Sequence, residues 1–361
     1  MALVQFDTLK VFLKKPLVTL DVCLDFLSGR WKLTNCAKIE GTSLMNKTVL
    51  ITGCNTGIGY ATCLQLARAQ ARLLICCRTL QKSIATADRL KRELGIHDQN
   101  RFICFAADME NLNAIKTLAK EITQLNEPIH FVILNAGIMQ AANKKLTRNG
   151  LELHFAVNHM SHFLLTYLLI PQLIRSAPSR IIVVTSNAYE YGKVEQLADH
   201  RFQSSPYIAV AAYAQSKLAN LLFAYELKKL LKDKGVDVFA LHPGAVLSDI
   251  YREEWLLHAP ILGSLTRRVL SFVMKTPQEG GRTITALVDD SPCSSTRRGS
   301  HFDVYLSNLY WKDCKPHPVN SKLVNSVSAE FLWRLSVSIL EDLGILNDKS
   351  LEIEEFCEKT L

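Results

Sequence analysis

The sequence predicts an α/β fold, a doubly wound parallel sheet in a single domain carrying N- and C-terminal helical extensions. Three observations carry this prediction. Apolar runs of strand length alternate with longer helical stretches through the middle of the chain, the pattern that builds a parallel sheet covered by helices on both faces. The first run, over 48–52, enters a glycine-rich turn and then a helix, an arrangement whose amides and helix dipole hold phosphate. Each strand ends in a small or polar residue, which places a ligand groove along one edge of the sheet.

Composition bounds the rest. With 361 residues, 48% of them hydrophobic, the chain can bury a large core. No linker, repeat or low-complexity segment divides it, so one domain is expected. The net charge of +8 is modest and spread along the chain. It reads as a solvated basic surface ahead of contact with phosphate or lipid headgroups, and no nucleic-acid partner is expected. Ten cysteines occur without a CxxC pair or metal-ligand spacing, and Cys63, Cys76, Cys77 and Cys104 sit inside apolar runs. They read as reduced core residues of an intracellular protein.

Residues 1–45 form an N-terminal extension. Lys14, Lys15, Asp21 and Asp25 interrupt its apolar run, which therefore falls short of the roughly 18 uncharged residues of a spanning helix. Asp21, Asp25, Ser28 and Lys32 make one narrow polar stripe on a helical wheel. The expectation is an amphipathic helix that packs on the body of the protein, or else lies on a membrane surface or a partner.

The turn Gly53-Cys-Asn-Thr-Gly-Ile-Gly59 follows the first strand. Gly53 permits the tight turn, Gly57 lets backbone approach a pyrophosphate, and Gly59 lets helix and strand pack closely. The second strand, over 73–77, runs into Arg78. A dinucleotide site that prefers NAD usually offers a carboxylate here to the ribose hydroxyls; a guanidinium suits a 2′-phosphate instead, so NADP is expected ahead of NAD. The competing reading pairs Arg78 with a surface carboxylate.

The alternation continues with a strand over 102–106 before Asp108, and one over 130–134 before Asn135-Ala-Gly137. A long apolar helix over 155–170 follows, then a strand over 180–185 ending at Ser186. Next come the helix bearing Tyr213 and a strand over 236–242 before Pro243-Gly244. Asn158 is a polar residue inside the apolar helix. Its buried amide must be satisfied, and it reads as kinking the helix and holding a water that reaches Lys217. His154, His159 and His162 crowd the same helix without a cysteine or carboxylate to complete a metal set, so they read as packing or surface residues.

Tyr213 and Lys217 are four residues apart, on one helix face about a turn from each other. The ammonium lowers the phenol's pKa, which makes Tyr213 a proton donor or acceptor near neutral pH. Leu218, Leu221, Leu222 and Tyr225 recur at helical spacing and put both residues in the first turns of an amphipathic helix. Ser186, at the C-terminal end of a buried strand, lies where open α/β sheets place their ligands. Tyr189, with Lys193 four residues on, is a rival, but Gly192 and the position just past a strand tell against a helix there.

Together TGCNTGIG, NAG, the Asn158 helix, Ser186, YAQSK and HPG resemble, in content and order, the short-chain dehydrogenase/reductase family over roughly 46–343. CCR, VNHMSHFLL, APSRIIVV and KTPQEG resemble its retinol-dehydrogenase branch, and also the oxidoreductase domain of WW-domain-containing oxidoreductases, although no WW domain is present. The resemblance implies a Rossmann-type fold over 46–344 and an NADP(H)-dependent oxidoreductase interconverting a lipophilic alcohol and its aldehyde or ketone. It implies Tyr213 as general acid/base, Lys217 lowering its pKa and binding the nicotinamide ribose, Ser186 holding the substrate oxygen, and Asn158 supporting a relay water. It also implies cofactor contacts from Gly53, Asn55, Gly57, Ile58, Gly59, Arg78, Asp108, Asn135, Gly137, Tyr213, Lys217, Pro243 and Gly244. The remaining expectations are a retinoid-like substrate with steroids and polyprenols as alternatives, a homodimer, and a cytoplasmic location or a peripheral one on the endoplasmic reticulum membrane. A family member kept as a nucleotide-binding scaffold is the reading from a different class.

The segment 248–276 is strongly apolar and reads as a substrate-binding flap that could touch a membrane. Beyond it the sequence predicts a helix from Gly281 through Val288, a last strand over 299–303, and a helix over 329–343 capped by Ser328 and ended by Gly344. Residues 345–361 read as a frayed, charged tail.

Overall fold

The computed structural model describes residues 41, 43–139, 143–204, 206–246, 274–289 and 308–346. The expected N-terminal helix, most of the 248–276 flap, the strand over 299–303 and the tail beyond Leu346 lie outside the described residues.

The chain lays down β1 (Thr48–Thr52), α1 (Gly57–Arg68), β2 (Arg72–Cys77), α2 (Leu80–Leu94), β3 (Phe102–Ala106), α3 (Leu112–Gln124) and β4 (Phe131–Leu134). A π-turn (Phe155–Met160) then leads into α4 (Ser161–Arg175), followed by β5 (Ser179–Val184), α5 (Ala209–Leu230) and β6 (Val236–His242). The last described elements are α6 (Pro277–Val288), β7 (Tyr310–Lys312), β8 (Lys315–Pro316) and α7 (Ser326–Asp342). Their order in the sheet is β3-β2-β1-β4-β5-β6-β7-β8. All neighbours pair parallel except β7 with β8. The strand order reverses between β1 and β4, and that reversal opens a crevice at their C-terminal ends.

Alternating side chains explain why the sheet is covered twice. Val49 and Ile51 of β1, with Leu73 and Ile75 of β2, point to a core shared with α1, α2 and α6. Leu50 and Leu74 point to the opposite core, shared with α3, α4, α5 and α7. Burying each such side chain contributes about 1.5–3 kcal/mol. On this second face Trp333 of α7 meets Phe163 of α4 edge-on at 4.9 Å and stacks on Phe223 of α5 at 6.2 Å, so the C-terminal helix is part of the main core.

Several expectations need correction. The strand Tyr310–Lys312, paired to β6 through Ala240↔Tyr310, has only three residues, too few for a period to be read. Helix α7 starts at Ser326 and is capped by Asn325, whose Oδ1 accepts the Ser328 N–H at 3.0 Å and its hydroxyl at 3.2 Å. Ser328 thus serves the cap from inside the helix. Gly344 does end it, with φ of +65°, but Ile345 is buried and Lys116 Nζ donates to its carbonyl at 3.0 Å, so the tail begins later than expected. Cys54, Cys63, Cys76, Cys77 and Cys104 are free thiols, whereas Cys314 is disulfide-bonded. His154, His159 and His162 are all buried and none is a surface residue.

Candidate active site

The glycine turn after β1 is locked from β4. Thr52 Oγ1 accepts the Asn135 and Ala136 N–H groups, both at 3.0 Å, and Asn135 Nδ2 donates to the carbonyls of Thr52 at 2.9 Å and Gly53 at 3.0 Å. Gly53 has φ of +66°, a region costly for other residues. A Cβ on Gly59 would stand 2.3 Å from the Gly53 carbonyl oxygen and 2.6 Å from Asn135 Nδ2. Only a bare backbone fits there, which answers the tight packing expected of this glycine. Thr56, the residue before α1, makes no side-chain cap, and the first turn of α1 joins it in lining the neighbouring cavity.

That cavity, of about 390 Å³, is lined by Gly53, Asn55, Gly57, Ile58, Gly59, Arg78, Asp108, Asn135 and Gly137, and also by Lys82, Met109 and Val157. Nine of the residues expected to touch a nucleotide are therefore gathered at the crevice, and backbone together with the Arg78 and Lys82 cations makes a cradle that fits a dinucleotide. Arg78 lies 3.8 Å from carboxylate oxygens of both Asp108 and Glu110, so the carboxylate pairing weighed against a phosphate role is present. These half-exposed contacts are weak. Lys82, four residues past Arg78 in the first turn of α2, was not singled out from the sequence, although the Arg-x-x-x-Lys spacing was there to read. Tyr213, Lys217, Pro243 and Gly244 lie outside this lining.

The residues expected to handle the proton come from three elements. Asn158 sits in the π-turn, where the wider winding brings its amide to face the loop after β4. Its Oδ1 accepts the Ile138 N–H at 2.8 Å, and its Nδ2 donates to the Ile138 carbonyl at 3.1 Å and to Ser216 Oγ at 2.9 Å. Ser216 in turn donates to the Tyr213 carbonyl at 2.7 Å. The helix distortion expected at Asn158 is present, and its amide is satisfied by protein groups. Lys217 is buried beneath Tyr213, its Nζ 5.6 Å from the phenol ring centre and donating to the Val184 carbonyl at 3.3 Å. Burial lowers its pKa from 10.5 to about 8, so at neutral pH it still carries the charge that favours a tyrosinate. Gly137 allows the approach: a Cβ there would sit 3.3 Å from Asn158 Oδ1 and 3.5 Å from Lys217 Nζ.

Ser186 follows β5, its Oγ accepting the Ala188 N–H at 3.2 Å. Thr185 Oγ1 fastens this strand end to α5 through the Lys217 carbonyl at 2.7 Å. The rival Tyr189 lies in a short 3₁₀ turn, Asn187–Tyr191, that ends before Lys193. It is buried, and its hydroxyl accepts the Asn320 N–H at 3.2 Å, a structural role. Pro243 and Gly244 follow β6; Lys275 Nζ lies 3.5 Å from the Pro243 carbonyl and fills the space where a Gly244 side chain would go.

The histidines each have protein partners. His159 Nε2 is 3.0 Å from Ser336 Oγ. His162 bridges Thr52 Oγ1 at 3.0 Å and the Asn158 carbonyl at 3.1 Å. Thr52 already accepts two amides, so its hydroxyl donates to Nε2 and the Nδ1–H donates to Asn158, a neutral ring. Burial agrees, pushing the His162 pKa down to about 3. This link from the glycine turn to the Asn158 carbonyl was invisible in the sequence.

Residues 47–198 match the family model described as short chain dehydrogenase. The chain is 37% identical to retinol dehydrogenase 12 of Mus musculus, across 81% of this chain and 86% of that protein. It is 35% identical to retinol dehydrogenase 14 of Homo sapiens, across 80% and 85%. Among solved structures, an uncharacterized protein from Mycobacterium paratuberculosis aligns with a TM-score of 0.57 at 27% identity, covering 84% of this chain and 98% of its own. An NADP active-site complex of Pseudomonas aeruginosa RhlG aligns with a TM-score of 0.52 at 23% identity, covering 68% and 88%, a likeness of fold. The chain belongs to the short-chain dehydrogenase/reductase family, among its retinol dehydrogenase-like members.

Proposed function

We propose that the protein is an NADP(H)-dependent oxidoreductase that interconverts a lipophilic alcohol and its aldehyde or ketone, with retinoids as the first substrate class to test. The observation that carries this reading is the buried Lys217 beneath Tyr213, at the strand end that bears Ser186. The names of the relatives, retinol dehydrogenases, supply the substrate class.

The chemistry a bound nicotinamide would supply is transfer of a hydride to or from the substrate carbon. The chain's own residues handle the oxygen and its proton. In the reductive direction the Tyr213 hydroxyl gives its proton to the substrate oxygen as negative charge develops there, and Ser186 Oγ donates a hydrogen bond to the same oxygen. Lys217 stabilises the tyrosinate left behind. Asn158 holds the loop after β4 against α5, so the glycine turn and the proton-handling residues keep one geometry. Arg78 and Lys82 would bind a 2′-phosphate, Arg78 exchanging its weak carboxylate contacts for that dianion.

The test is NADPH and NADH binding to wild type and Arg78→Ala, then NADPH consumption with retinal, a steroid ketone and a polyprenal. The reading expects NADPH affinity to fall at least about tenfold in the variant while NADH affinity changes little. Equal loss for both nucleotides contradicts the NADP assignment, and failure to bind either leaves a scaffold built on the family's fold.

A further inference from the structure

Beyond the residues assigned above, a buried polar cluster is built on Glu152. This carboxylate is fully buried and is met by three donors. Oε1 accepts from His154 Nδ1 at 2.7 Å and from the Tyr207 hydroxyl at 3.2 Å, and Oε2 accepts the Phe155 N–H at 2.9 Å. A carboxylate only accepts, so the Nδ1 proton of His154 is fixed and its ring orientation with it. That ring stands edge-on with Tyr213, with centroids 6.2 Å apart and planes at 75°. Glu152 is thus connected to the reactive phenol through one imidazole.

Glu152 and its neighbours also hold the chain that enters α5. The Glu152 N–H donates to the His200 carbonyl at 3.3 Å, and the His200 ring stacks on Phe155 at 5.7 Å. Lys144 Nζ donates to the Phe202 carbonyl at 2.8 Å, and the Tyr207 ring stands edge-on to Phe202 at 5.4 Å. Tyr207 precedes the first residue of α5, Ala209, by two positions, and Tyr213 lies one turn further on. The Tyr207 hydroxyl of this entry segment and the His154 ring beside Tyr213 therefore meet at one buried oxygen, Glu152 Oε1.

We propose that Glu152 and His154 form a positioning pair for Tyr213, with Tyr207 as the latch that ties the segment entering α5 to it. The proposal rests on the reading of Tyr213 as the acid/base. Neither Glu152 nor His154 exchanges a proton with substrate; they restrict where the phenol stands when hydride moves. Near-attack alignment of this kind appears in the chemical step and leaves nucleotide affinity, set at the glycine turn, untouched.

Two substitutions separate positioning from general damage. Tyr207→Phe keeps the ring on Phe202 and deletes the latch. His154→Asn keeps an N–H near the place of Nδ1, so Glu152 remains satisfied, and deletes the ring against Tyr213. The single-turnover rate of NADPH oxidation, with whichever of the three carbonyl substrates turns over fastest, is expected to fall about tenfold in each variant. NADPH affinity should stay within about twofold of wild type. The double variant should be no slower than the worse single one, because both act through one path. Without any substrate, amide exchange in Tyr207→Phe should quicken in residues 206–214 and stay unchanged in the glycine turn. Wild-type rates and exchange in both variants overturn the proposal, as does a rate loss matched by an equal loss of NADPH affinity. Tyr213→Phe, run alongside, separates the two levels: wild-type turnover there is the failure of the acid/base reading itself.

Discussion

Holding Lys217 charged inside the protein costs stability, and the cost can be measured. The side chain is 3% exposed, and burial lowers its pKa from 10.5 to about 8. A lowering of that size corresponds to roughly 3 kcal/mol against the charged form in the folded state. Below pH 8 both folded and unfolded chains hold the proton and the full cost is present. Between about 8 and 10.5 the folded chain has released a proton that the unfolded chain keeps, so stability rises with pH through that window. Above it the amine is neutral in both states and the cost is gone. Lys217→Met keeps the apolar stem and removes the charge, and it also removes the donor to the Val184 carbonyl, a bond worth about 1 kcal/mol. At pH 7 the nucleotide-free variant is therefore expected to be more stable than wild type by about 2 kcal/mol. By pH 10.5 that advantage should have vanished or reversed. Urea unfolding of both proteins from pH 7 to 10.5 measures the difference and cancels every other titrating group. A difference that does not move with pH refutes the assignment of the cost to this ammonium, and a less stable variant at pH 7 shows that its hydrogen bond outweighs its desolvation.

Gly59→Ala places a methyl within 2.3 Å of the Gly53 carbonyl oxygen and 2.6 Å of Asn135 Nδ2; thermal unfolding should report a loss of about 2–4 kcal/mol, accompanied by loss of NADPH binding. Asn325→Ala removes the α7 cap and should cost about 1 kcal/mol in urea unfolding with NADPH affinity intact. If Asn325→Ala weakened nucleotide binding instead, α7 would be coupled to the crevice in a way its packing on α4 and α5 does not provide.

The parts of the fold legible in the sequence were those governed by local pattern. Runs such as Thr48–Thr52 and Ser179–Val184 are apolar because both faces of the sheet are covered, so their strand character needed no partner to be read. The glycine turn was legible for the same reason, since Gly53 and Gly59 answer steric demands within a few residues of themselves. What was missed depends on contacts between distant residues. Thr52 reads as the end of a strand, yet its hydroxyl joins Asn135, Ala136 and His162. Glu152, in a bridge with Leu146, and His154, in the helical turn before Phe155, lie two residues apart, and their relation to Tyr213 exists only once α5 is packed against the π-turn. The Asn325 cap was missed because Asn325 and Ser328 are both capping residue types three positions apart, and only the three-dimensional helix start separates them.

The central claim is that Tyr213 moves the proton while the glycine turn holds the nucleotide. Single-turnover oxidation of bound NADPH by Tyr213→Phe tests it most directly, because the substitution deletes one hydroxyl and nothing that lines the nucleotide cavity. The account predicts NADPH bound as tightly as by wild type and hydride transfer slowed at least about a hundredfold. Hydride transfer at the wild-type rate in that variant would contradict it.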